Sequence, residues 1–126
     1  VSLLNDCEYC ARHHSVGLKR QLKGDEEKFR AYRSQLELDS PGEPFTPAEQ
    51  AALAYARKLT VEPGSIARNN VGKLRQAGLT DGQILEINQV TAYFAYANRT
   101  VTGLGVDTAG EVLGLSPDEG EDWQHG

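Results

Sequence analysis

Both cysteines of the chain and two of its three histidines lie within eight residues, Cys7-Glu8-Tyr9-Cys10-Ala11-Arg12-His13-His14. On a helix turning about 100° per residue, Cys7, Cys10 and His14 fall at about 0°, 300° and 340°, with His13 near 240°. The four side chains then share roughly one third of the circumference. Cysteines at i and i+3 have Cα atoms about 5 Å apart on a helix, inside the window for a disulfide. Asn5 and Asp6 are candidate N-caps, which puts both cysteines in the first turn. Free backbone N–H groups and the positive end of the helix dipole there favour thiolate over thiol. His14 follows Cys10 by one helical contact spacing and Cys7 by two turns, so it is expected to act on Cys10 as base or proton relay.

Three plainer readings of the same residues stay open. The cysteines can be small core residues. They can join His13 and His14 as zinc ligands, although one helix face does not surround an ion and no second ligand cluster follows. They can form a structural disulfide, although so short a loop removes little chain entropy.

The elements that must position this motif read as helices throughout. The motif helix is expected over about Asp6–Leu22, with Cys7, Ala11, His14, Leu18 and Leu22 on its core face and Gly24 as its stop. Lys19, Arg20 and Lys23 read as a solvated helix end. A second helix starts at Asp25, with Phe29, Tyr32 and Leu36 inward, and stops before Asp39-Ser40-Pro41-Gly42-Glu43-Pro44. Thr46-Pro47-Ala48-Glu49 is a capping box with proline at the first helical position, and the helix it opens runs to about Leu59. After Glu62-Pro63-Gly64, Ser65 is expected to cap a shorter helix with Ala67, Val71 and Leu74 inward, closed by Gly78. Thr80-Asp81-Gly82-Gln83 opens the longest apolar segment. Two rows are expected to be buried there, Ile84/Ile87/Thr91/Ala95/Asn98 and Val90/Phe94/Ala97/Val101/Leu104. A helix apolar on two sides calls for cover on two sides, one of them expected from another subunit. The polar Asn88, Gln89, Asn98 and Arg99 embedded in this helix are expected to make core or interface hydrogen bonds. No strand pattern appears, and the fold class is all-α.

Composition bounds the function. The 126 residues are enough for one domain with its own core, with 39% hydrophobic and 25% charged residues. A net charge of −5 without a basic run argues against nucleic acid as a partner. No apolar stretch has the length of a membrane span. Two cysteines in one Cys-x-x-Cys fit a working dithiol in a reducing, cytoplasmic setting. Residues 107–126 read as a loosely ordered acidic tail, with no chemistry assigned to Trp123 or His125.

Within an all-α domain the motif resembles the alkyl hydroperoxidase D-like, carboxymuconolactone-decarboxylase-like superfamily, in its peroxidase-related branch. The resemblance rests on residues 5–14 as a Cys-x-x-Cys-x-x-x-His element and continues through Ala52-Leu53-Ala54-Tyr55-Ala56-Arg57-Lys58-Leu59-Thr60. It goes on through Leu74-Arg75-Gln76-Ala77-Gly78-Leu79-Thr80-Asp81 and Ala92-Tyr93-Phe94-Ala95-Tyr96-Ala97-Asn98-Arg99, with Gly103-Leu104-Gly105-Val106. It implies an oligomeric helical bundle (dimer, trimer or hexamer) that reduces hydroperoxides with electrons from an external thiol or dithiol and needs no cofactor. It also implies roles: Cys10 as the nucleophile that becomes a sulfenic acid, Cys7 as proton donor and resolving thiol, His14 in the proton relay. Two positions depart from the family pattern. The relay glutamate upstream of the first cysteine would precede Val1, and Val1–Leu4 read as the end of an earlier helix, so one or more N-terminal helices are expected beyond the given residues. Tyr9 stands where the best-known members have histidine, a place His13 would compensate. The superfamily also holds non-redox decarboxylases, which generally lack the dithiol. A helical oligomerisation or metal-binding module is the non-enzymatic alternative.

Overall fold

A computed structural model describes residues 1–110 and 113–114. Among these the chain forms five α-helices and no strand: α1 (Glu8–Gln21), α2 (Glu26–Leu36), α3 (Pro47–Val61), α4 (Arg68–Gln76) and α5 (Asp81–Gly103), with a 3-10 turn at Pro63–Ser65. The all-α expectation holds. The tail expected over 107–126 lies largely outside the described residues.

Local chemistry sets most boundaries. Thr46 and Thr80 each accept from the backbone N–H three residues on, while Glu49 and Gln83 return the bond to the cap N–H. Each reciprocal pair satisfies donors that a helix start leaves free. Asp25 caps α2 by accepting from Lys28 N–H at 2.9 Å. Gly78, at φ +92°, closes α4: its own N–H reaches Arg75 O, and Leu79 N–H reaches Leu74 O. That double bond needs a left-handed residue, which glycine supplies without a Cβ clash.

Three boundaries differ from the sequence reading, each because another bond wins. Ser65 does not cap α4; its hydroxyl turns back to Glu62 O at 2.9 Å. The helix begins instead after Ala67, whose N–H is held by the Asn70 side chain at 2.8 Å. Ala67 is consequently exposed, and Ile66 packs on the core in its place. α1 is closed by Lys23 at φ +56°, with Lys23 N–H on Arg20 O and Gly24 N–H on Lys19 O, so the left-handed stretch starts one residue before the expected Gly24, which continues it at φ +76°. At its other end α1 begins later than Asp6, for reasons given below.

Packing divides α5 between two partners. Its first half meets α3 and α4 around Tyr55, Leu74 and Ile84, with Leu59, Val71 and Ile87 against them. Leu74 is 1% exposed, and full burial of such a side chain contributes about 1.5–3 kcal/mol. Asn88 donates to the Tyr55 hydroxyl at 2.9 Å, tying α5 to α3 inside this layer. Its second half meets α1, which in turn packs on α2. The row Ile84, Thr91 and Asn98 is buried as expected. The second row is covered only in part among the described residues: Phe94, Ala97 and Val101 are half-buried, while Val90 and Leu104 are exposed, as are Leu85, Tyr93 and Tyr96 on the neighbouring surface. α2 buries none of its residues fully; Phe29, Tyr32 and Leu36 are half-buried. Among the described residues no helix is long and apolar enough to cross a membrane.

Candidate redox site

The start of α1 is set by the turn before it. Asp6 N–H bonds Leu3 O and Cys7 N–H bonds Ser2 O, the nested pair that closes a helical turn, and Asp6 sits between them at φ +51°. A residue in that conformation is not a helical first residue, so Cys7 becomes the N-cap and Cys10 the third residue of α1. The expected caps do other work. Asn5 donates its side-chain amide to Asn98 Oδ1 at 3.1 Å, and Asn98 Nδ2 donates to Ser2 Oγ at 3.1 Å. Asn98 is 1% exposed, so one buried amide of α5 clamps both ends of the turn that presents Cys7.

Cys7 and Cys10 come together as the motif predicts. Their sulfurs are at disulfide distance, with Cα atoms 5.4 Å apart. Both are shielded, Cys7 at 2% and Cys10 at 6% exposure. No helix-capping side chain occupies the first turn, which leaves its N–H groups directed at the sulfurs' end of the helix.

His14 departs from the expected core face. It is an exposed residue whose ring packs edge-on against Phe94, centroids 4.6 Å apart at 83°. Desolvation lowers its pKa from the ordinary histidine value, and the neighbouring His13 lowers it further. Because much of the ring still meets solvent, this desolvation is partial. Among the described residues no hydrogen bond joins His14 to either sulfur in this disulfide form. His13 turns the other way: it stacks on Tyr9 at 4.6 Å, and its Nδ1 accepts from Gly114 N–H at 3.2 Å. A ring accepting at Nδ1 carries its neutral-form hydrogen on Nε2.

Arg20 and Lys19 are not merely solvated. Arg20 donates to Gly114 O and, at 3.4 Å, to Leu113 O, while Lys19 pairs with Glu26. Gly114, at φ +72°, lies so close to α1 that an added Cβ would stand 2.9 Å from Gly17 N. The pair Leu113–Gly114 thus docks on α1 through His13, Gly17 and Arg20, a contact with no signature in local sequence. Glu8 is exposed and stands 3.9 Å from Arg12.

Two cavities adjoin the motif. One, of about 540 Å³, has Cys7, Ala11, Val16 and Leu113 in its walls, with Asp6 and Glu8 at its polar side. The other, of about 270 Å³, is bounded by His14 and Leu18 of α1, Leu36 of α2, Leu53 of α3 and Phe94 of α5. Ser2, Leu3, Ala11, Ser15 and Arg33 belong to both, so they adjoin along one wall. Cys10 is in the lining of neither. Among the described residues no three His, Cys, Asp or Glu side chains are grouped to hold a metal.

Compared with known protein families and with curated proteins, the chain matches none.

Proposed function

We infer that this chain is a thiol-dependent, peroxidase-like oxidoreductase of the alkyl hydroperoxidase D-like kind, working in a reducing, cytoplasmic setting. The observation that carries the reading is the pair itself: two shielded sulfurs at disulfide distance across the first turn of α1, with His14 on the same side of that helix.

The chemistry follows from these groups. Cys10, as thiolate, attacks the distal oxygen of a hydroperoxide. The O–O bond breaks, Cys10 becomes a sulfenic acid, and the alkoxide leaves as alcohol with a proton passed from the Cys7 thiol through His14. The Cys7 sulfur then attacks the Cys10 sulfur. A disulfide forms, and hydroxide leaves as water with the proton Cys10 gave up on ionising. An external dithiol reduces the bridge and is itself oxidised to a disulfide. Burial opposes the thiolate and the open helix N-terminus favours it; reactivity at neutral pH requires the second effect to win.

The exposed apolar side of α5 supports a second strand of the reading, a homo-oligomer (dimer, trimer or hexamer) in which this side is covered by another copy.

The test is intact mass on reduced protein, before and after one equivalent of an organic hydroperoxide, with peptide mapping. Loss of two hydrogens, placed on a Cys7–Cys10 bridge within seconds, supports the reading, and Cys10→Ser must then abolish turnover. An unchanged mass with both thiols free rejects it in favour of the non-redox decarboxylase-like or module readings.

A further inference from the structure

The smaller cavity carries a feature that dithiol chemistry does not use. Its walls are mainly apolar, yet Arg33 of α2 reaches in where it meets the Cys7 cavity, and Arg57 of α3 lies in the same lining. Arg33 Nη1 is shut off from water and makes no hydrogen bond. Glu37 Oε1 stands 2.8 Å away, close enough to offset the charge but not aligned to accept from an N–H. Leaving a buried charged donor unbonded is unfavourable, and Glu37, with its side chain 59% exposed, is free to swing into solvent. Arg57 is similarly held by an outward residue, Asp39, at 2.6 Å.

The geometry points to a binding site for an amphiphilic monocarboxylate in this cavity. The carboxylate takes the place of Glu37 beside the Arg33 guanidinium and accepts from it, the planar fork suiting the two oxygens. The hydrocarbon tail lies among Leu18, Leu36, Leu53 and Phe94. At about 270 Å³ the space is at the small end of ligand sites, which selects short-to-medium chains over long ones. The two ion pairs make the site self-competing: Glu37 occupies the guanidinium until a better-aligned carboxylate arrives. Binding rests on cavity and charge alone.

Calorimetric titration of the full chain with octanoate, and with 1-octanol as the uncharged control, tests the site. Saturable one-to-one octanoate binding is expected. Arg33→Gln should weaken it at least about tenfold, the loss of one charge-assisted pair, while leaving 1-octanol unchanged. Glu37→Gln removes the internal competitor and should tighten octanoate binding several-fold, an opposite sign that a merely structural Arg33–Glu37 pair would not give. Should Arg33→Gln not fold, Glu37→Gln decides alone. No saturable octanoate binding by the wild type, or equal affinity in wild type and Glu37→Gln, overturns the proposal. Neither readout involves peroxide, so a failed peroxidase reading and a failed carboxylate site are told apart.

Discussion

His14 is the residue whose behaviour should distinguish a working relay from a bystander. Its pKa lies below the ordinary histidine value because packing against Phe94 removes water from part of the ring. The neutral imidazole, the form able to take a proton, therefore persists to more acidic pH than in an ordinary histidine. Its relay capacity is lost only as pH falls through that lowered value. The same shift acts on stability with a definite sign. Between the two pKa values the unfolded chain binds more protons at this site, so stability is lost as pH falls from about 6.5 toward the folded value. His14→Gln should therefore lower hydroperoxide turnover about a hundredfold, within the range of general acid–base catalysis. It should also flatten the fall in Tm between pH 7 and pH 5. A turnover profile in which His14→Gln keeps the wild-type acid limb would remove His14 from the relay. At this scale the Cys7–Cys10 pairing was legible, because helical spacing brings the two sulfurs together, whereas the packing of His14 on Phe94 and of His13 on Tyr9 was not. Arg33 was not legible either: nothing in a charged residue on a polar helix announces that its side chain lines an apolar cavity.

Elements were legible where the bond that ends them is local. The capping boxes at Thr46 and Thr80 involve residues three apart, so sequence places both helix starts correctly. The buried row of α5 follows the helical period and is likewise readable. Where the deciding partner is distant, the reading slips. Asn5 has the chemistry of an N-cap, but Asn98, 93 residues on, takes its side chain, and the turn closes around Asp6 instead. Leu113–Gly114 docks on α1 through a comparably long-range contact. The clamp by Asn98 is itself open to test. Asn98→Ala leaves Asn5 and Ser2 without their partner in a buried place and should destabilise the fold by about 2 kcal/mol, the typical cost of stranding polar groups. Because the clamp holds the turn that presents Cys7, disulfide formation should slow as well. Chemical denaturation together with a stopped-flow oxidation trace reads both effects. A destabilised variant that oxidises at the wild-type rate would make the clamp structural only.

At the scale of the whole molecule, α5 joins α1 to the layer formed by α3 and α4. α5, about 35 Å from its 23 residues, touches α1, α3 and α4. Leu85, Val90, Tyr93, Tyr96 and Leu104 along it remain open, Tyr96 at 68%. Exposed apolar residues with two tyrosines among them on one side are what the proposed assembly would cover. If another copy covers them, the paired change Tyr93→Glu with Tyr96→Glu places charges in the contact and should shift the protein to monomer at micromolar concentration. Light scattering on variant and wild type gives the answer, and a wild type already monomeric there would count against assembly through α5. Tyr93 has a further bearing. Its ring lies 5.3 Å from that of Phe94, and Phe94 lies 4.6 Å from His14. The three aromatic rings run in series from open surface to His14, so whatever rests on the first leans, through the second, on the third. On the proposed function, a second copy docked on Tyr93 presses through Phe94 on the relay histidine, which gives assembly a handle on the chemistry that bypasses the substrate.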